Sequence, residues 1–520
     1  MGELVMNRLV VLSFVVVFAC ASLAQSNGQS LPFYSWTQAF HTQDDGAAEC
    51  TCLDTDPNGD IFCAGPFQGT VDFDPSVGLD LRTAKGQQDL FIGRFHKDGS
   101  RAWVRTLGGP GAAWDDSIGD MTIDRLGNVV FAGGFASTVD FDPGEGTDLR
   151  TAIGMQDGFV TQLGPDGSYR WTQVLGGREA IVTIKGLCLD ASGNEYLTGS
   201  FTGSVDFDPG AGVDLHKAAE GYVSEFVTKL YADGSYAWTR TLGGPFYAYG
   251  VKVQADRQGG IYVAGRYNAY MDVDFDPRPG IDLHDCHGDC DIFITKFDTD
   301  GTYLWTKTLG GAGWDLPYDL CLDAAGNLYL TGTFSLLVDF DPGDGEDYLY
   351  SPYQHVGTCF LTKLDPNGRY GWTTTIGSDE VLSAGTAVRV DPMGNSYVIG
   401  ERLIAGFQPE EIPSGKSPRS DVFLSEIDPN GHVMWTQQWH AVIEGRIIEP
   451  DFYSPWKWGL GLAPDGDLVV SGRFSGGVDF DPGEGTDSHV STGLFDGFIT
   501  KLAHLAGVYS VNLQAGGTAN

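Results

Sequence analysis

A tryptophan in an extended context recurs along the chain at a nearly constant interval. The copies are Trp36, Trp103, Trp171, Trp238, Trp305, Trp372 and Trp435, and the gaps are 67, 68, 67, 67, 67 and 63 residues. A fixed period of this length marks a repeat architecture, in which each unit buries its apolar face only by stacking on its neighbours. The 520 residues are therefore read as one array rather than the three or four domains that length alone suggests. A second marker also counts seven. It reads DLFIGRF at Asp89, DGFVTQL at Asp157, SEFVTKL at Ser224, DIFITKF at Asp291, TCFLTKL at Thr358, DVFLSEI at Asp421 and DGFITKL at Asp496.

A third element completes the unit. GLCLDASGNEYLTG from Gly186 and DLCLDAAGNLYLTG from Asp319 place two alternating apolar runs around an Asp-x-x-Gly-Asn turn, which is a hairpin signature. Each repeat thus holds four short antiparallel strands, and seven such units predict an all-β fold, a seven-bladed β-propeller. A solenoid would need one coil per repeat and polar caps, and neither is present. The chain begins with a fourth strand around Trp36 and ends with a third strand, Asp496 to Leu502. The N-terminal strand can therefore complete the last blade and close the ring. The stretch Gly507 to Leu513 is mildly strand-like and is a rival for that place.

The segments GLCLDASGNEYLTG, DIFITKF and YLWTKTLGG resemble the SBBP β-propeller repeat family of exported bacterial proteins. The likeness runs through nearly the whole chain after its leader. It implies a seven-bladed propeller outside the cytoplasm, and no activity, because the fold hosts many functions.

The N-terminus agrees with export. Arg8 precedes an apolar run from Leu9 to Ala19, and Ser22-Leu23-Ala24 fits a cleavage site before Gln25. Glu3 is unusual in such a leader, so Met6 is an alternative start. Lipidation at Cys20 is the rival reading of the same segment. The expected organisation is a signal peptide over residues 1–24, one propeller domain over 32–502 and a tail over 503–520. No other stretch is long and apolar enough to span a bilayer. A net charge of −38 argues against nucleic acid, whose phosphates must be neutralised by Lys and Arg. Gly at 73 residues suits many tight turns. The cysteines are too sparse for a disulfide framework. Cys286 and Cys290 could hold a soft metal with His287 and Asp289, form a local disulfide, or be free thiols.

The most regular motif lies between the second and third strands. Val-Asp-Phe-Asp-Pro occurs six times and continues to a further Asp. The carboxylate sets are Asp72, Asp74, Asp80; Asp140, Asp142, Asp148; Asp206, Asp208, Asp214; Asp274, Asp276, Asp282; Asp339, Asp341, Asp347; and Asp479, Asp481, Asp487. The sixth repeat has Leu403 to Glu411 instead. Hard oxygen ligands on one short loop suit Ca²⁺. The competing reading is a protruding hairpin, with Val and Phe inward, Asp toward water, and Pro and Gly making the turn.

The loops between one repeat and the next carry aromatics, among them Trp114, Tyr247, Trp314, Trp456 and Trp458. Exposed rings beside carboxylates could bind a glycan or another amphipathic ligand; alternatively they seal gaps between blades. No GxSxG, HExxH or P-loop is present. The leading expectation is a non-catalytic extracytoplasmic binding or scaffold module, a monomer presenting an acidic loop face to a protein or glycan, with calcium as its candidate ion. The alternative is a polysaccharide-acting enzyme using carboxylates such as Asp115, Asp116 and Asp315.

Overall fold

The computed structural model describes residues 31–504 except 75, 77, 111–115, 270, 278–279, 353–356, 378–381, 404–419 and 441–456. The expected leader with Cys20, the tail beyond His504, Trp114, Asp115, Trp456 and the stretch 404–411 lie outside the described residues.

Every regular element among the described residues is a β-strand. The third repeat shows the plan. Ile181–Leu189 pairs with Glu195–Thr202, which pairs with Ser224–Leu230, which pairs with Tyr236–Leu242, all antiparallel. The hairpin between the first two strands follows from its turn residues. Asp190 Oδ1 accepts the backbone N–H groups of Ser192 and Asn194 at 2.8 and 3.0 Å, and Asn194 donates back to Asp190 Oδ2 at 2.8 Å. Gly193 takes the left-handed conformation that this turn requires, with φ of 83°.

The same four-strand order starts from Cys52–Thr55, Ser117–Ile123, Tyr247–Ala255, Leu316–Leu322 and Ser383–Val390. The last set is assembled from both ends of the chain. Gly459–Leu462, Leu468–Phe474 and Asp496–Ala503 pair in turn, and Phe33–Ala48 adds the fourth strand through Phe33 to Phe40. Phe33–Ala48 then continues onto Ile61–Asp72 of the first set through His41 to Ala48. One strand thus belongs to two sheets.

The core lies between successive sheets. Phe62 and Ile92 of the first sheet pack with Phe131 and Phe159 of the second, and Tyr397 and Leu424 of the sixth pack with Leu468 and Phe498 of the last. Phe40, Ile61 and Phe91 share a cluster with Val469 and Ile499, joining last to first. With a neighbour on each face, a middle strand such as Val129–Phe135 is buried at every residue, which is why these strands read as apolar runs rather than alternating ones.

Both sequence markers have structural reasons. The recurring Thr of the third strand bonds to the Thr beside the Trp of the fourth: Thr161 to Thr172, Thr228 to Thr239 and Thr295 to Thr306, each at 2.9 Å and buried. The Trp itself covers a turn glycine of the next sheet. A Cβ on Gly301 would stand 2.8 Å from the Trp238 ring, and one on Gly167 3.0 Å from Trp103.

Candidate functional site

The Asp-rich motif forms short hairpins whose carboxylates are used internally. In the second repeat, Thr138–Asp140 pairs with Leu149–Thr151. Val139 and Phe141 are buried, as expected. Asp140 Oδ1 accepts the N–H groups of Asp142 and Asp148 at 3.2 and 2.9 Å, and Asp142 Oδ1 accepts that of Gly144 at 2.8 Å. The first Asp of the other sets does the same: Asp72 for Asp74 and Asp80, Asp206 for Asp208 and Asp214, Asp274 for Asp276 and Asp282, Asp339 for Asp341 and Asp347, Asp479 for Asp481 and Asp487. The third Asp accepts a phenol from the outermost strand: Tyr169 for Asp148, Tyr236 for Asp214, Tyr303 for Asp282, Tyr370 for Asp347 and Tyr34 for Asp487. In the first repeat Arg101 replaces the tyrosine, 2.8 Å from Asp80.

These carboxylates do not simply splay into water, as strand alternation alone implies. They are half-buried in most sets and saturate backbone donors that the turn would otherwise orphan. Among the described residues, no three His, Cys, Asp or Glu side chains gather as a metal ion would need.

The aromatic candidates divide. Trp458 is buried, donates to Glu401 Oε1 at 2.7 Å and packs on Phe498 with centroids 5.8 Å apart. Burial pushes the Glu401 carboxyl up to about 7. Trp314 is half-buried, and its backbone N–H and carbonyl both bond to the Ser335 hydroxyl. Tyr247 is 39% exposed and leans on Tyr222 with centroids 5.3 Å apart. Trp458 thus contributes to packing, Trp314 is anchored through its backbone, and Tyr247 is the most open of the three to solvent.

Of the carboxylates proposed for an enzyme, the two among the described residues, Asp116 and Asp315, are enclosed. Asp315 is fully buried and accepts the N–H groups of Gly311 and Ser335 at 2.7 and 3.1 Å. Burial pushes its carboxyl up to about 8, and the neighbouring Asp291 adds to the rise. Asp291 accepts the His287 N–H at 2.8 Å. Asp89, Asp157 and Asp496 hold the preceding turn in the same way at the same strand position. Asp291 therefore belongs to the repeat plan. Asp116 is buried as well. The eight described cysteines, Cys286 and Cys290 included, are free thiols.

Sequence reasoning did not find a cavity of about 240 Å³ at the meeting point of the first strands. Every four-strand set contributes to its wall, through residues such as Cys52, Asp120, Lys185, Lys252, Asp319, Arg389 and Leu460. Lys252 Nζ lies 2.7 Å from Asp120 and 3.5 Å from Asp319, and Arg389 lies 2.9 Å from Asp319. The signal available in the sequence was basic residues on strands expected to be innermost, at positions that differ from repeat to repeat.

No family model matches the chain. An uncharacterized WD repeat-containing protein of Acanthamoeba polyphaga mimivirus is 22% identical over 415 residues, which is 66% of this chain and 30% of that protein. The chain thus spans less than a third of this relative's length. Among solved structures, the phage phi92 endosialidase is similar with a TM-score of 0.34 at 11% identity, over 94% of this chain and 72% of that one. A protein of unknown function from Bacteroides caccae is similar with a TM-score of 0.32 at 10% identity, over 67% and 89%. These scores are too low to carry an argument. The repeat character and the antiparallel four-stranded sheets make the fold an all-β, propeller-like one.

Proposed function

We propose that the chain is a seven-bladed β-propeller closed by Phe33–Ala48, and that it acts outside the cytoplasm as a non-catalytic binding or scaffold module for a protein or glycan. Closure draws support from the pairing of Phe33–Ala48 with Asp496–Ala503 and from Trp36, which lies against Gly99 of the first sheet as Trp103, Trp171, Trp238, Trp305 and Trp372 lie against their own turn glycines. Export draws support from the leader pattern and from the resemblance to exported repeat proteins.

One observation carries the binding reading. The residue after the third Asp is an exposed apolar one on successive hairpins: Leu149, Leu215 and Leu283 are 61, 64 and 56% exposed. Internal hydrogen bonds hold each hairpin in shape, so an array of apolar contacts rimmed by carboxylates is preorganised, which lowers the ordering cost of binding. The test is a glycan array together with binding to an immobilised envelope fraction, comparing the parent with a Leu149→Ser, Leu215→Ser, Leu283→Ser variant. Binding lost at unchanged Tm supports the reading. Equal binding by the variant, or turnover of a bound polysaccharide, would overturn it.

Calcium at the same hairpins is a second reading, carried by the chemistry of three hard carboxylates per loop. The ion would compete with hydrogen bonds already made. A rise in Tm when millimolar calcium is added to chelator-stripped protein would favour it, by mass action on the folded state. An unchanged Tm leaves the hairpins as turns.

A further inference from the structure

The chain carries 31 Lys and Arg against 69 Asp and Glu, so its surface field repels anions. The central cavity reverses this balance. Five basic residues line it, Lys185, Lys252, Arg266, Arg389 and Lys457, against two carboxylates, Asp120 and Asp319. Asp120 and Asp319 are engaged by Lys252 and Arg389. A third carboxylate, Asp54, lies outside the lining and accepts the Thr122 hydroxyl at 3.3 Å.

Lys185, Arg266 and Lys457 have no carboxylate partner among the described residues. Lys457 donates to the Gly119 carbonyl and lies 3.6 Å from the Cys52 sulfur. Arg266 stands over the Tyr249 ring, 5.0 Å from its centroid. Desolvation by the crowded walls first, then the nearby charges of Lys457 and Arg266, hold the Lys185 ammonium below its usual range, while the side chain keeps access to solvent. The backbone aims this side chain. The pairing of Ile181–Leu189 with Glu195–Thr202 shifts register between Ile184 and Gly186, so Lys185 sits on a bulge. The first strands of the second, fourth, fifth and sixth sheets shift at the equivalent place, bulging at Gly119, Val251, Tyr318 and Thr386. Bulges re-aim side chains, and here each bulged residue lines the cavity. Tyr249, Tyr318 and Leu460 complete the wall with rings and an apolar surface.

We propose that this cavity is a binding site for a small organic dianion, a phosphomonoester or a dicarboxylate, whose oxygens are taken by Lys185, Arg266 and Lys457. Lys185 and Lys457 are exposed to the solvent of this cleft and Arg266 is half-buried, and three cations that converge there with no carboxylate partner among the described residues focus a positive potential and attract such an anion despite the acidic exterior. The volume, about 240 Å³, lies just below the range usual for drug-sized ligands and so limits the guest to a small one. The site is separate from the hairpins and stands or falls independently of them.

Calorimetric titration of the full-length protein with inorganic phosphate and with malonate, at ionic strength held constant with chloride, tests this. Saturable one-site binding of either anion, with a rise in Tm, is expected. Lys185→Met and Arg266→Met should each weaken it by about tenfold or more, the loss of one charge-assisted contact. Lys217→Met, at an exposed lysine away from the cavity, should not. Without anion, Lys185→Met should keep the parent's Tm, because Lys185 is solvent-exposed and has no carboxylate partner among the described residues; this separates loss of the site from loss of the fold. A preference for phosphate or for malonate assigns the phosphoryl or the carboxylate class. Failure of both anions to bind, a Tm change matched by chloride, or equal affinity in Lys185→Met and Arg266→Met would overturn the proposal.

Discussion

Gly301 shows how tightly single residues are constrained between sheets. It takes φ of 72° in the turn joining the third and fourth strands, and a Cβ there would meet the Trp238 ring at 2.8 Å. Gly301→Ala should therefore destabilise by about 1–3 kcal/mol, from left-handed strain alone before any displacement of the ring. A urea titration checks it, and an unchanged midpoint would mean that the tryptophan seam yields freely. Glu225 sets a different constraint. It is buried, with the Thr198 hydroxyl at 3.3 Å and the Leu242 backbone N–H beside it, and burial pushes its carboxyl from 4.5 to about 8. The folded protein thus keeps a proton that the unfolded chain gives up sooner. This contribution is fully present below pH 4.5 and is lost as the pH rises toward 8. Stability should decline across that window, and Glu225→Gln, which cannot ionise, should flatten the decline in urea midpoints measured against pH. An equally steep decline in the variant would place the titration elsewhere.

At the scale of the strand, the Thr pairs explain why the third and fourth strands keep their polar residues while buried. Thr295 and Thr306 bond to each other at 2.9 Å, and both are buried. Thr295→Val should cost about 1–3 kcal/mol by leaving the Thr306 hydroxyl unpaired, and the double change to Val should recover much of that loss. Thermal unfolding of the two variants decides it; additive losses would show that the bond is not what holds the pair. Features that repeat were legible in the sequence, since the Trp recurs seven times, its contact with a turn Gly six times and the Thr pair five times among the described residues. The Val and Phe of the Asp-rich hairpins were legible too, because period-two alternation places them inward. The inward use of the carboxylates was not, because alternation says which face a side chain leaves from and nothing about the backbone donors around it. The cavity was hidden for the opposite reason. Lys185, Arg266 and Lys457 occupy positions that do not recur, and a reading built on recurrence passes over them.

At the scale of the molecule, the arrangement puts the chain's termini under the greatest demand. Sheets that share cores with both neighbours protect one another, but the last sheet takes its fourth strand from the other end of the chain, Asp496–Ala503 being the last strand among the described residues. Phe33–Ala48 fills that edge with residues more than 450 positions away in sequence, as the hydrogen bonds of Thr37 with Thr500 and of Thr42 with Asp496 record. Pairing strands so far apart in sequence adds only slowly to the entropic cost, which grows with the logarithm of length, whereas the packing that this pairing brings is local and dense. Phe40 is fully buried in the cluster that holds Phe91, Val469 and Ile499. Phe40→Ala should therefore cost about 3–5 kcal/mol. Deleting Phe33 to Phe40 should lower Tm further still, because it also leaves Asp496–Ala503 as an open edge able to pair with other chains. The deletion should make the protein concentration-dependent in scattering as well as less stable, and a synthetic peptide of the missing strand should restore both properties in trans. If the deletion melts and scatters like the parent, another segment holds that edge, and the stretch Gly507 to Leu513 is the one to delete next.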